Sequence, residues 1–69
     1  MTITYKPLYD VLITAPDAQI KRCKLAYKAV AAGDWMGAAR YLENAIREEG
    51  PGGWAEDAAD VAAQCRMNA

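Results

Sequence analysis

Apolar residues recur at helical spacing along most of the chain. Between 17 and 32, Ile20, Cys23, Tyr27, Val30 and Ala31 fall three or four apart on one face, and Leu25, Ala26, Ala29 and Ala32 form a second apolar strip. Two strips predict a helix that is packed on two sides. Thr14-Ala15-Pro16-Asp17 reads as its entrance. Thr14 or Asp17 can cap it, and Pro16 suits a first turn because it lacks an N–H that would go unpaired there. Gly33 stands where a left-handed residue ends a helix, and Asp34 follows as the next N-cap. A second helix is predicted over 35–49, with Ala38, Leu42, Ala45 and Ile46 aligned behind Trp35, stopping at Gly50-Pro51. A third, over 54–67, aligns Trp54, Ala58, Val61, Ala62 and Cys65. Its first turn holds Glu56 and Asp57, where the helix dipole favours negative charge.

The first thirteen residues carry two patterns. Thr2-Ile3-Thr4-Tyr5 alternates as a short strand would, while Leu8, Val11 and Leu12 share a face if a helix runs over 7–13. The helix is the preferred reading, as a cover for the first long helix. The short connections Gly33-Asp34 and Gly50 to Gly53 make successive long helices antiparallel neighbours. The expected fold is therefore all-α: an antiparallel helical hairpin, a third helix and a short N-terminal segment. Cys23 and Cys65 then sit at heights that differ by roughly 9 Å along the helix axes. A disulfide wants Cα atoms within about 7 Å, so two reduced thiols are expected.

The length of 69 residues allows one domain, 1–69. Apolar residues make up 54% of it, yet 15 of those 37 are alanine, so the core is thin and relies on close helix approach. A chain this short buries only about 60% of its unfolded surface and often gains stability from a partner or a second copy. The face Ile20, Cys23, Tyr27 and Val30 exceeds what a thin hairpin covers, which predicts a homodimer built on those four residues.

Histidine, serine and phenylalanine are absent. Without histidine the usual base near neutral pH is missing, and Ser-His and Cys-His nucleophiles are excluded. Two cysteines without histidine do not complete a zinc site. No enzyme, metal or cofactor is expected. The net charge of −1 argues against non-specific nucleic-acid binding. The longest uncharged runs are six residues, 11–16 and 50–55, far short of the roughly 20 a membrane span needs. No basic segment leads into an apolar run at the start, so no signal peptide is expected and the cytoplasm is the expected compartment.

Charge is segregated. Residues 17–32 carry four cations against one anion, a net of +3, whereas 34–49 and 54–67 are each −2. Lys21, Lys24 and Lys28 form a stripe beside Arg22. Its bland reading is a solvated helix face; its functional reading is a basic surface for an acidic partner. Among the aromatic anchors Tyr27, Trp35, Tyr41 and Trp54, core positions suit Tyr27 and Trp54. Tyr41 lies off the apolar strip of its helix, near Arg40 and Arg47, and is the candidate exposed contact. The expected protein-binding residues are thus Tyr41, Arg40, Arg47, Lys24 and Lys28. Glu43, Glu48, Glu49, Glu56, Asp57 and Asp60 read as solubilising helix-surface carboxylates rather than as converging ligands.

Gly33-Asp34-Trp35, with Ala38, Leu42 and Ala45 behind it, resembles the second helix of a tetratricopeptide repeat, and Leu25-Ala26 resembles that family's upstream pair. Arg22 and Ala29 stand where the family has large aromatics, and Pro51 is one position late. The resemblance covers residues 20–50 and implies a protein-binding scaffold. In length and helical-hairpin layout the chain also resembles small proteins with which temperate bacteriophages disarm their host, above all the quorum-sensing anti-activators, with anti-CRISPR proteins as a second kind. That resemblance implies a non-enzymatic inhibitor of a host protein in the host cytoplasm. Its expected targets are a LuxR-type transcription regulator and the motor ATPase of type IV pilus assembly. It assigns no residue a role. The alternative is a small DNA-associated regulator using the lysine helix.

Overall fold

Asp34 shows how the chain sets its own boundaries. The Gly37 amide donates to its Oδ1 at 2.9 Å, so the side chain satisfies one of the free N–H groups at a helix start. The structure, a computed structural model, describes residues 5–69. Among these the elements are α1 (Lys6–Ile13), a 3-10 turn (Asp17–Gln19), α2 (Ile20–Ala31), α3 (Trp35–Glu49) and α4 (Gly53–Met67), with no strand. The all-helical expectation is met. The alternation at Thr2-Ile3-Thr4 lies outside the described residues, and Tyr5 is the extended residue before α1.

The entrance to α2 differs from the sequence reading. Residues Asp17–Gln19 wind as a 3-10 turn, and neither Thr14 nor Asp17 caps the start of α2. The Thr14 hydroxyl instead donates back to the Asp10 carbonyl at 2.8 Å, closing α1. At the other end of α2, Gly33 adopts φ +83°. The Gly33 amide donates to the Val30 carbonyl at 2.9 Å and that of Asp34 to Ala29 at 2.8 Å, the paired bonds of a Schellman stop.

The long helices alternate in direction. Arg22 Nη2 meets Glu48 Oε2 at 2.7 Å, tying the start of α2 to the end of α3. Arg66 Nε meets Glu43 Oε2 at 2.6 Å, joining α4 to α3. Helix α1 packs on both α2 and α4, and the Tyr5 ring before it meets the Trp35 ring at the start of α3 edge-on, with centroids 5.1 Å apart. Its direction is fixed by two bonds: Tyr5 donates to Gln64 Oε1 at 2.6 Å, and Trp54 Nε1 donates to the Val11 carbonyl at 3.0 Å. Helix α1 is therefore antiparallel to α4.

The interior is small. Leu8, Leu42, Val30, Cys23 and Cys65 are its largest fully buried apolar side chains, and Ala26, Ala38, Ala39, Ala58 and Ala62 fill the spaces between helices. This corrects the expected dimer face. Cys23 and Val30 are 0% and 1% exposed within one chain, because Leu8 and Val11 of α1 join them in a single core. Ile20 and Tyr27 remain half-buried at its rim. Both cysteines are free, and burial pushes both thiols up, which keeps them protonated and inert.

Gly37 is tied to this cap. A Cβ added there would run into the Asp34 carboxylate, 2.7 Å from its Cγ. Gly37→Ala therefore exchanges a gain of about 1 kcal/mol in helix propensity for a cap worth about 1 kcal/mol. The expected net change is close to zero. In an Asp34→Ala background the same substitution stabilises by the full propensity gain. Urea unfolding of the four chains reads the coupling; additive effects would show that cap and glycine act independently.

Candidate functional site

Helix α3 lies between α2 and α4, so only a narrow outward strip reaches solvent. Arg40, Asn44 and Arg47 occupy it, and all are exposed. Neither arginine forms an ion pair among the described residues. Tyr41 borders this strip on the α2 side and is 37% exposed. The antiparallel register set by Arg22 and Glu48 brings the second half of α2 alongside Tyr41. That helix contributes Leu25, 38% exposed, to the same outer surface of the α2–α3 hairpin. Lys21, Lys24 and Lys28 are exposed along the neighbouring edge of α2 without ion pairs among the described residues. The five expected binding residues are all exposed on this hairpin, Lys24 and Lys28 on α2 and Arg40, Tyr41 and Arg47 on α3.

Arg22 leaves the basic stripe. Besides its ion pair with Glu48, its Nη1 donates to Gln19 Oε1 at 3.0 Å, and Gln19 Nε2 donates to Glu48 Oε1 at 3.4 Å. Gln19 is 1% exposed, so this closed triad satisfies a buried amide that the sequence did not mark. On the opposite edge of α3, the Arg66 guanidinium grips Glu43 with two bonds of 2.6 Å, and its Nη1 also reaches the Met36 sulfur at 3.6 Å. These bonds hold the Glu43 carboxyl below the usual glutamate range, and Arg22 does the same for Glu48.

A pH dependence follows. A carboxyl whose folded pKa is lowered stabilises the fold fully above the ordinary glutamate range and loses that contribution as the pH falls below it. Glu43→Gln is therefore expected to lower stability at neutral pH, by about 1 kcal/mol at most because solvent screens the pair. The difference from wild type closes on acidification below the glutamate range. Thermal melts of both proteins across pH check this; a difference that stays constant would show the pair contributes nothing ionic.

Two grooves mark the surface. One, of about 300 Å³, runs between α3 and α4 and is lined by Ile46, Ala59, Ala62 and Ala63, with the Glu43–Arg66 pair at its rim. The other, of about 330 Å³, lies between α1 and α4 and is bordered by Asp10, Asp57 and Asp60. No three potential ligand side chains converge on a metal position among the described residues. Nor is any described helix long and apolar enough to cross a membrane. Tyr9 and Ile13, 47% and 61% exposed on α1, were missed in the sequence. The helical period that puts Leu8 and Leu12 inward leaves both on the outer side, and that was the available signal.

No family model, curated protein or solved structure matches this chain.

Proposed function

We propose that this chain is a non-enzymatic protein-binding inhibitor that covers the working surface of a host protein with the outer face of its α2–α3 hairpin. The observation that carries this reading is Tyr41, a partly exposed aromatic near Arg40 and Arg47, which form no ion pair among the described residues. Aromatic and arginine side chains supply most interface hot spots. Lys24 and Lys28 on the adjoining helix favour a partner with acidic character and speed its capture. By its likeness to phage host-takeover proteins, the proposed target is a LuxR-type transcription regulator, with the type IV pilus motor ATPase as a second. No cofactor takes part.

The test is the binding of such a regulator to its DNA site, followed by fluorescence anisotropy while this chain is added. Loss of DNA binding, together with a complex of fixed stoichiometry on gel filtration, is the expected result. Full DNA binding and no complex would remove that target, and the same titration against the ATPase would decide the second.

One observation favours another reading. The exposed stripe Lys21, Lys24 and Lys28 has the form of a phosphate-contacting edge. A DNA-associated regulator using it would bind a fluorescent duplex directly, with log affinity falling against log salt at a slope of about −2.7 for three contacts. Absence of duplex binding at low salt disposes of this alternative.

A further inference from the structure

The Arg22–Glu48 pair, at 2.7 Å, marks the seam along which α2 and α3 touch. Successive residues turn about 100° round a helix, which fixes what faces outward beside that seam. On α2, Leu25 lies about 60° from Arg22, and Lys21 and Lys28 about 100° and 120°, all on the side away from the buried Cys23 and Val30. On α3, Arg40 and Arg47 lie about 80° and 100° from Glu48, on the side away from the buried Leu42. Tyr41 stands about 20° from Glu48, on the seam itself. The seam thus carries two partly exposed apolar side chains, Leu25 at 38% and Tyr41 at 37%. Lys21 and Lys28 are exposed along one flank of it and Arg40 and Arg47 along the other, and none of the four forms an ion pair among the described residues. Anions beside the seam are already taken up. Helix α2 has no acidic residue, Arg22 holds Glu48, and Arg66 holds Glu43 on the far edge of α3.

We infer that the partner fills this seam with an acidic amphipathic helix. The two cations of each flank are seven residues apart, about 10.5 Å or two helical turns. The register of Arg22 on Glu48 sets Arg47 within about 3 Å of the height of Lys21, and Arg40 within the same of Lys28. A helix repeats its faces every seven residues to within about 20°. Acidic side chains one heptad apart on both flanks of a docked helix therefore meet all four cations. Apolar residues three and four apart between them cover Leu25 and Tyr41, the helix-in-groove mode of recognition. Charge complementarity selects an acidic occupant over a basic one. The apolar strip selects a helix over a phosphate backbone, which has charge on its outside and nothing apolar to lay on Leu25 and Tyr41. The inference rests on the inhibitor reading for its surface and adds which part of the partner that surface holds.

The probe is a fluorescein-labelled synthetic peptide of about three heptads, with leucine at a and d and glutamate at e and g. Its counterpart carries lysine at e and g. Anisotropy at low salt, with the full chain as titrant, is expected to show the acidic peptide binding at least about tenfold tighter than the basic one. Lys21→Glu/Lys28→Glu and Arg40→Glu/Arg47→Glu change exposed positions and leave the core intact, which circular dichroism verifies. Each is expected to weaken the acidic peptide by more than about tenfold, the scale of juxtaposed like charges. Lys6→Glu, on α1, is expected to leave it unchanged. Absence of acidic-peptide binding, equal binding of the two peptides, or indifference to both reversals would each overturn the inference. A DNA duplex bound in place of the peptide would overturn it too, and would name phosphate as the occupant. The regulator titration reads the inhibitor proposal separately. Peptide binding without regulator binding supports the acidic helix and removes that target, whereas regulator binding without peptide binding overturns the acidic helix alone.

Discussion

Leu42→Ala is expected to cost about 2–5 kcal/mol, the range for truncating a buried leucine. Leu42 is 0% exposed in the middle of α3, where α2 and α4 both pack. The core it belongs to is rich in alanine, Ala26, Ala38, Ala39, Ala58 and Ala62, side chains with no rotamer freedom with which to fill a gap. A chain of this size holds a total margin of about 3–10 kcal/mol. The substitution therefore removes much of the fold's stability, with a fall in Tm of more than about 10 °C. Leu25→Ala, at a position 38% exposed, is the control and is expected to stay within about 0.5 kcal/mol. Thermal melts followed by circular dichroism decide it. A Leu42→Ala melt no lower than that of Leu25→Ala would mean that the alanine-lined core relaxes around the cavity.

The helices themselves were legible because their ends carry specific chemistry. Asp34 caps α3 and Gly33 takes the left-handed conformation that stops α2, so the hairpin follows from local rules. Pattern could not show how a buried side chain would be covered. Cys23 and Val30 lie on an apolar strip, and periodicity alone does not say whether α1 or a second chain closes over it. The structure answers with Leu8 and Val11. Likewise Gln19 lies in a polar stretch, and only the return of Glu48 from α3 makes a buried amide affordable there.

The candidate binding surface divides in the same way. Tyr41 is legible in the sequence because it falls off the apolar strip of an amphipathic helix, a local property that survives folding. Arg22 stands beside the lysine stripe in the sequence, yet its partner is 26 residues further on, at Glu48. Tyr9 and Ile13 stand out only once α1 is seen packed on α2 and α4, which buries Leu8 and Val11 and leaves these two side chains outside. Surfaces made by one helix could be read from spacing; surfaces made by three could not.

Tyr41→Ala is expected to weaken binding to the inhibited partner by at least about 2 kcal/mol, or roughly 30-fold, the scale of an aromatic hot spot. It should have little effect on folding, because the side chain is 37% exposed and lies outside the buried core. Tyr41→Phe keeps the ring and separates its packing from the hydroxyl. Arg40→Ala and Arg47→Ala are expected to act chiefly on the association rate, as charges at the rim do. Calorimetric titration of the regulator with each variant gives the affinities, and stopped-flow mixing gives the rates. Tyr9→Ala is the informative contrast, since it touches the α1 face and not the hairpin surface. If Tyr9→Ala abolishes regulator binding while Tyr41→Ala leaves it unchanged, the inhibitory surface is the α1 face.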